Sequence, residues 1–249
     1  MINITPELAE ACGIHAGDGY LRNDGIRREL DLSGNVEEQD YYDNHVAPLF
    51  NNLFGSEIKN KYFKSRNTYG FVLRNKHIDI IETFHKLGFP YGKKGKVVKI
   101  PKQILLSKNK LIHARFLRGL LDTDGCLSFR KSYGKYCKFK TSKHWYPTIT
   151  LTSISKKLLE ETMILLDSLN IKYYYYNQIP KNPKENKRYC IDINGVERLN
   201  KWIKTIGIKN PVKYTRYLIW KKYGFCPTNT TYEQRKDILN KKISPNQAS

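Results

Sequence analysis

The sequence lacks the features of several large protein classes. Its five cysteines include no C-x-x-C pair, so neither a zinc knuckle nor a disulfide framework is indicated, and we interpret them as reduced thiols. No run approaches the ~20 apolar residues of a membrane span, and the first residues lack the basic start and apolar core of a signal peptide. We therefore expect an intracellular, cytoplasmic protein with no membrane partner.

Acidic residues are also scarce relative to basic ones. The chain has 44 Lys and Arg against 23 Asp and Glu, which gives a formal charge of +21 and a pI near 9.7. Such an excess indicates a polyanionic partner, with nucleic acid favoured over an anionic membrane surface. The 249 residues suit two modules, each long enough for a core, which we place at 1–107 and 108–249.

One motif occurs twice in the chain. The segments Glu10–Leu21 (EACGIHAGDGYL) and Phe116–Leu127 (FLRGLLDTDGCL) share two glycines, an aspartate and a leucine at a constant offset of 106 residues (124 − 18). The shared aspartates are Asp18 and Asp124, each at the end of a predicted helix. Two similar halves can therefore each deliver one acid to a common centre.

Small residues recur on one face of both motif helices. Gly13 and Gly17 lie four residues apart in the first copy, and Gly119 and Thr123 do so in the second. A glycine lets a second backbone approach closely, so these faces are candidates for the interface between the halves.

Two aspartates that converge at such an interface repel each other unless a proton or a cation bridges them. Oxygen ligands favour Mg²⁺, and paired metal ions activate water in nucleases, so we interpret Asp18 and Asp124 as a metal site. The alternative is that each Asp-Gly is an ordinary turn after a helix. Asp122 has Ala16 opposite it in the first copy, so we expect a polar surface or capping residue there.

The intervening sequence predicts the same order of elements in both halves, namely helix, hairpin, helix, hairpin, helix. For the first half these are a helix from Pro6 to Asp18, a hairpin over 20–32, a helix over 37–54, a hairpin over 58–73 and a helix over 78–87. For the second half they are a helix over 111–123, a hairpin over 126–153, a helix over 155–169, strands near 171–177 and 188–194 and a helix over 196–206, followed by helices over 212–223 and 232–242.

Basic and polar residues concentrate on the predicted hairpins. Alternate side chains of a strand share one face, so a subset would point at base edges while others contact phosphate. For any one lysine the alternative is a merely solvated face. The candidate DNA contacts are Arg22, Arg27, Arg28, Glu29, Asp31, Asn35, Lys59, Lys61, Lys64, Arg66, Arg130, Lys131, Lys135, Lys138, Lys140 and Arg188.

The chain resembles the LAGLIDADG homing endonucleases. Their signature is matched by Ala11–Gly19 (ACGIHAGDG) and Leu117–Gly125 (LRGLLDTDG), and the similarity covers most of the chain. The turn Ser33-Gly34-Asn35 before a Tyr-Tyr helix and the segment Asn210–Gly224 also resemble single-chain, two-motif members. The first motif departs from the eponymous pattern at residues 15–17 but keeps its aspartate.

This resemblance implies an α+β fold of two pseudo-symmetric αββαββα modules. Their motif helices would form the domain interface, and their antiparallel sheets would make a saddle over DNA. It also implies an intron-encoded, Mg²⁺-dependent enzyme that acts as a monomer. Such an enzyme hydrolyses both strands of a long duplex site across the minor groove and leaves short 3′ overhangs. We expect two or more Mg²⁺ ions, with Mn²⁺ able to substitute.

The resemblance also assigns roles to individual residues. Asp18 and Asp124 match the metal-binding acids, and the carbonyls of Gly17 and Thr123 match the backbone ligands. Family members place a basic or polar residue near each centre, for which Lys99 and Lys213 are our candidates. For both lysines, a solvated side chain that contacts phosphate is the alternative.

Two other functions remain open at this point. One is a maturase of the same fold that binds intron RNA, with or without cleavage, and the other is a basic ribosome-associated module. Retention of both Asp18 and Asp124 favours the enzyme, because a pure binding protein needs no paired metal acids. From Met1 and the last residues we expect no intein splicing junctions.

Overall fold

The computed structural model describes residues 2–133 and 143–247. Three of the candidate DNA contacts, Lys135, Lys138 and Lys140, lie outside the described residues, and the side chain of Lys131 is not described either. Within the described part of the chain, no helix is long and apolar enough to cross a membrane.

The first half has a four-stranded antiparallel sheet with helices on one face. The strand order is β1-β2-β4-β3. Leu21, Leu30, Leu32 and Phe71 alternate along the strands and are buried against the helices. The elements are α1 (Pro6–Asp18), β1 (Gly19–Asn23), β2 (Arg28–Asn35), α2 (Gln39–Tyr41), α3 (Ala47–Phe54), β3 (Lys61–Phe63), β4 (Thr68–Leu73), α4 (Ile78–Lys86) and α5 (Lys102–Leu105).

The second half repeats this arrangement. Its sheet has the order β5-β6-β8-β7, which is the same topology with every strand number raised by four. The elements are α6 (Lys110–Asp124), β5 (Cys126–Tyr133), β6 (Lys143–Ser153), α7 (Lys156–Ser168), β7 (Tyr174–Gln178), β8 (Arg188–Asn194), α8 (Val196–Thr205), α9 (Pro211–Tyr223) and α10 (Tyr232–Leu239). The fold class predicted from the sequence is confirmed, while the boundary at 107/108 stays a prediction.

The motif helices α1 and α6 pack against each other through their glycines. A Cβ at Gly13 would lie 2.1 Å from the carbonyl oxygen of Phe116, and one at Gly119 would lie 2.4 Å from that of Glu10. Both distances are far below van der Waals contact, so only glycine fits at either position. The two backbones therefore touch directly between the sheets.

The helix predicted over 37–54 is interrupted. It begins as a 3₁₀ turn at Val36–Glu38, passes through α2 and widens into a π turn at Tyr42–Val46 before α3. Pro48 has no N–H to donate to the preceding turn, so the α-helical register breaks just before it. The short helix α5 was missed, because four residues after a proline carry too little periodicity to predict one.

A second contact between the halves involves α9 and α10. The Tyr232 hydroxyl donates to Asp40 Oδ2 at 2.8 Å, and Asn210 Nδ2 donates to Glu38 Oε1 at 2.6 Å. The fully buried Arg235 fixes α10 on α9 by donating to Val212 O and Thr215 Oγ1. The end of the second half thus holds the first half in place.

Candidate active site and nucleic-acid interface

Asp18 and Asp124 end the two packed helices and lie next to each other. A Cβ at Gly17 would be 2.1 Å from Thr123 Oγ1 and 3.3 Å from the backbone nitrogen of Asp124, so the last turns of α1 and α6 are in contact. The charge of Asp124 is one of the causes that raise the pKa of Asp18. The convergence expected from the repeated motif is therefore present in the fold.

Asp18 has the more enclosed environment of the two. Burial, together with the nearby carboxylates of Glu38 and Asp124, raises its pKa to about 7. The Tyr42 hydroxyl donates to Asp18 Oδ2 at 2.8 Å. A Cβ at Gly34 would lie 2.5 Å from Glu38 Oε2 and 3.0 Å from Asp18 Oδ2, so this glycine makes room for both acids.

Asp124 opens toward a cavity of about 310 Å³. The walls include Ala16 and Lys94 from the first half and Arg188 from the second. Displacement of water by these surroundings raises the pKa of Asp124, and the nearby Lys94 and Lys213 lower it. The two acids thus differ in access, although their places in the repeat are equivalent.

One lysine from each half lies on the end of a motif helix. Lys94 Nζ donates to the carbonyls of His15 at 2.5 Å and Gly17 at 2.6 Å. Lys213 Nζ donates to three carbonyls of α6, with the shortest distance of 2.5 Å to Thr123. Burial lowers the pKa of Lys94 to about 8 and also lowers that of Lys213. Each ammonium therefore places a positive charge beside an acid and on the negative end of a helix dipole.

The structure brings Lys213 to the site but not Lys99. Lys99 is exposed between the buried Val98 and Ile100 and is not among the residues that line the Asp124 cavity. In the first half it is Lys94, five residues earlier, whose ammonium lies on the end of the motif helix. No sequence signal separates the two, because both lie in the same basic loop.

Asp122 was wrongly expected at the surface. It is fully buried, and its Oδ2 accepts from the backbone nitrogen of Lys209 at 2.9 Å, just before α9. Burial raises the pKa of this carboxyl to about 6. The expectation of a capping role agrees better with this contact, since Asp122 ties α6 to the start of α9.

The residues at the centre fit a divalent cation. Two carboxylates converge there, and the carbonyls of Gly17 and Thr123 already attract ammonium groups, so the donors are oxygens that favour a positive charge. No three His, Cys, Asp or Glu side chains within residues 2–133 and 143–247 form a metal-binding cluster. A metal here would therefore take its remaining ligands from backbone, phosphate and water.

The sheet face away from the helices carries four of the charged candidates in the first half. Arg22, Glu29 and Asp31 alternate with the buried leucines, and Arg66 reaches this face from the β3–β4 turn. Arg66 Nη1 lies 2.5 Å from Asp31 Oδ2, and its guanidinium stacks over the Phe63 ring at 4.5 Å. These contacts hold the arginine in a defined orientation.

Arg28 lies on the opposite side. Its Nη1 is 2.9 Å from Glu82 Oε1 on α4, so it shares the side of the buried leucines and does not lie on the outer face of the sheet. The reason is its place in the strand alternation, since Arg28 has the same parity as Leu30. Asn35 uses its side chain to accept from Glu37 N at 2.9 Å, which caps the following turn. The remaining first-half candidates Arg27, Lys59, Lys61 and Lys64 are exposed.

The second sheet has a different outer face. Arg130 is exposed toward its far end, and Arg188 lies beside the Asp124 cavity. Tyr174 and Tyr176 stack on each other at 5.7 Å, and Tyr174 is exposed. Between these residues the outer face carries Ser128, Thr148, Thr150 and Thr152, and the Thr150 hydroxyl donates to Asp192 Oδ1 at 2.7 Å.

Known proteins share this arrangement of helices and sheets. Residues 112–207 match the model of the LAGLIDADG-like domain, a range that contains the second motif and all four strands of the second sheet. The chain has the LAGLIDADG fold in its single-chain, two-motif form. Its first half carries the same elements in the same order.

Two solved LAGLIDADG proteins illustrate this likeness. I-DmoI, solved in complex with DNA and Mn, has a TM-score of 0.54 and 18% identity over 82% of this chain and 98% of its own. I-LtrWI, solved bound to target DNA, has a TM-score of 0.55 and 15% identity over 96% of this chain and 92% of its own.

Curated relatives match over small parts of their length. A probable translation initiation factor IF-2 of Methanocaldococcus jannaschii is 29% identical over 97% of this chain but 19% of its own length. A replicative DNA helicase DnaB of Rhodothermus marinus is 26% identical over 65% of this chain and 17% of its own. The chain thus spans about a fifth of these relatives, and their named activities differ from each other.

Three residues of this centre were missed by sequence reasoning. Lys94, Glu38 and Tyr42 all contact or face the motif ends. The Tyr-Tyr pair was noted as part of the resemblance, but nothing in the pattern indicated that one hydroxyl would reach Asp18. Glu38 follows Asn35 at the spacing of a capping box, which is the signal that could have drawn attention to it.

Proposed function

We propose that this LAGLIDADG protein is a site-specific endonuclease that hydrolyses both strands of duplex DNA with the help of divalent metal ions. The observation that carries the proposal is the convergence of Asp18 and Asp124 at the ends of two touching helices, between two sheets. Each half contributes one acid and one lysine, which suits a substrate with two strands.

The proposed chemistry divides between the metal and the chain. Mg²⁺ would be held by Asp18 and Asp124 with the carbonyls of Gly17 and Thr123, and it would activate water and neutralise charge on the phosphodiester. Lys94 and Lys213 keep positive charge beside the scissile phosphates. Tyr42 fixes the orientation of the Asp18 carboxylate through its hydrogen bond.

The charge distribution and the neighbours support duplex DNA as the substrate. The formal charge of +21 and the arginines on the outer sheet face suit a phosphate backbone. Related folds were solved with target DNA and with Mn or Ca ions. We propose that the protein acts as a monomer, because one chain already supplies both acids. From its resemblance to the LAGLIDADG homing endonucleases we further propose that it cuts across the minor groove and leaves short 3′ overhangs.

A cleavage screen on a random duplex library with Mg²⁺ tests the proposal. The wild type should cut a defined site, and Asp18→Asn or Asp124→Asn should each abolish double-strand cutting. The matched control is Asp79→Asn, which removes an exposed acid of α4.

Two outcomes would contradict the proposal. Cutting that survives either substitution at Asp18 or Asp124 would refute the assigned chemistry. The absence of cutting together with tight, salt-resistant binding of intron RNA would identify the maturase instead.

A further inference from the structure

A row of three charged residues crosses the outer face of the first sheet. Arg22 on β1 pairs with Glu29 on β2. Leu30 pairs with Leu73, so Arg74, the next residue after Leu73, lies beside Glu29 on its other side. Arg74 Nε lies 3.0 Å from Glu29 Oε1, and Arg22 Nη1 lies 3.9 Å from Glu29 Oε2. The side chain of Arg74 is 73% exposed and that of Glu29 only 15%, so the acid lies beneath and holds the Arg74 guanidinium. Arg22 is held mainly by Asp24, whose Oδ2 lies 2.7 Å from Arg22 Nη2.

The equivalent row of the second sheet is neutral. Ser128 lies four residues after Asp124, as Arg22 lies four after Asp18. Ser128 pairs with Thr148, and Thr148 pairs with Asn194. The Thr148 hydroxyl donates to Asn194 Oδ1 at 2.8 Å, which orients the amide as Glu29 orients Arg74.

The two rows have opposite preferences for base edges. A guanidinium forms two parallel hydrogen bonds with O6 and N7 of guanine, whereas an Asn amide does so with N6 and N7 of adenine. Because both rows have the same register relative to the motif aspartates, they take equivalent places in the two sheets. A duplex that covers both sheets would present one base pair to each row.

We propose that the DNA target is asymmetric at these two positions, with a G·C pair facing Arg22 and Arg74 above Glu29 and an A·T pair facing Ser128 and Asn194 above the buried Thr148. The inference rests on the proposed function, since it requires duplex DNA across both sheets. It adds the kind of base pair that each half recognises and names the residues responsible.

The test is a binding selection from a random duplex library with the Asp18→Asn, Asp124→Asn double variant, so that cleavage is not needed. The enriched site should contain a G·C and an A·T pair at equal distances from its centre. The variant Arg22→Ser, Glu29→Thr, Arg74→Asn copies the second row onto the first. It should change the G·C preference to A·T at that position alone and weaken binding of the original site about tenfold or more.

Two further variants control for charge and folding. Arg28→Gln removes an arginine and its ion pair to Glu82 from the same strand, but on the side of the helices, and should keep the original site. Arg74→Lys keeps the charge and loses the planar fork, so it should retain affinity while discriminating less against a replaced guanine. Arg74→Lys also tests the inference if the triple variant does not fold.

The outcomes separate this inference from the function on which it rests. An enriched site with the same base pair at both positions, or a triple variant that still selects G·C, would overturn the inference and leave DNA binding intact. A library in which no duplex is enriched would overturn both.

Discussion

Lys94 and Lys213 lie on equivalent helix ends, although they do not occupy equivalent positions in the sequence. Lys94 Nζ is 2.6 Å from the carbonyl oxygen of Gly17, and Lys213 Nζ is 2.5 Å from that of Thr123. Lys94 comes from the loop after α4, whereas Lys213 lies in the first turn of α9. The two halves therefore reach the same electrostatic arrangement through different elements.

Replacing one lysine should impair one strand more than the other. We expect Lys94→Met or Lys213→Met to slow double-strand cutting about 10²-fold or more, because a fixed positive charge beside the reacting phosphate is lost. Each variant should accumulate nicked plasmid, which gel electrophoresis with strand-specific labels detects. Lys99→Met is the matched control and should cut both strands at the wild-type rate.

The glycine contact between α1 and α6 should tolerate no added methyl group. Gly13→Ala would place a Cβ 2.1 Å from the Phe116 carbonyl oxygen, so the helices must separate. We expect the free energy of unfolding to fall by about 3 kcal/mol in urea denaturation. Gly95→Ala, where the Cβ would meet only the flexible end of Ile154, should change it little. Equal stabilities for the two variants would contradict the close packing.

A buried ion pair also joins the motif helices. Arg118 donates to both carboxylate oxygens of Glu10, and His45 Nε2 lies 2.7 Å from Glu10 Oε1. Arg118→Met should lower the free energy of unfolding by about 3 kcal/mol, because it leaves a buried carboxylate with weaker partners. Glu10→Gln with Arg118→Met should recover part of this loss in a double-mutant cycle, and strictly additive effects would argue against the pairing.

His15 should make the protein less stable in mild acid. Burial and the nearby Lys94 hold its pKa well below the ordinary value of 6.5, and its ring packs on Phe84 and Phe89. The folded state therefore keeps His15 neutral while the unfolded state binds a proton below pH 6.5, so stability falls as pH falls, by up to about 1.4 kcal/mol per pH unit.

The check is a comparison with His15→Leu, which keeps an apolar side chain against the two rings. Asp18 acts in the reverse sense, because its raised pKa of about 7 adds stability as pH falls toward 4. Both proteins carry that effect, so the difference between their unfolding free energies at pH 7.5 and 5.5 isolates His15. A difference that does not change with pH would refute the assignment.

The order of elements could be predicted from the sequence, because hydrophobic periodicity and turn residues are local signals. The two hairpins that follow the motif helices were found for this reason, as was the small-residue face at Gly13 and Gly119. The interruption before Pro48 was missed, since the apolar spacing on both sides of it still matched one helix.

The contacts of single polar side chains could not be predicted in the same way. Lys94 and Lys99 lie in one basic loop, and only the path of that loop decides which ammonium reaches α1. Which face of the strand Arg28 takes could not be predicted, because a strand face depends on register, and a shift of one residue exchanges the two faces. Asp122 was misjudged because its partner, the backbone of Lys209, is 87 residues away in the chain.

The direct contact of the two motif helices also has a geometric consequence for a nuclease of the proposed kind. With no side chain between Gly13 and the Phe116 carbonyl, and only the Thr123 side chain against Gly17, the separation of Asp18 and Asp124 follows from the close packing of the two helices. The spacing of the two cuts along the DNA would follow from that separation. The length of the overhang would then depend on Gly13 and Gly119, two buried residues that lie between the helices and not on the outer face of either sheet.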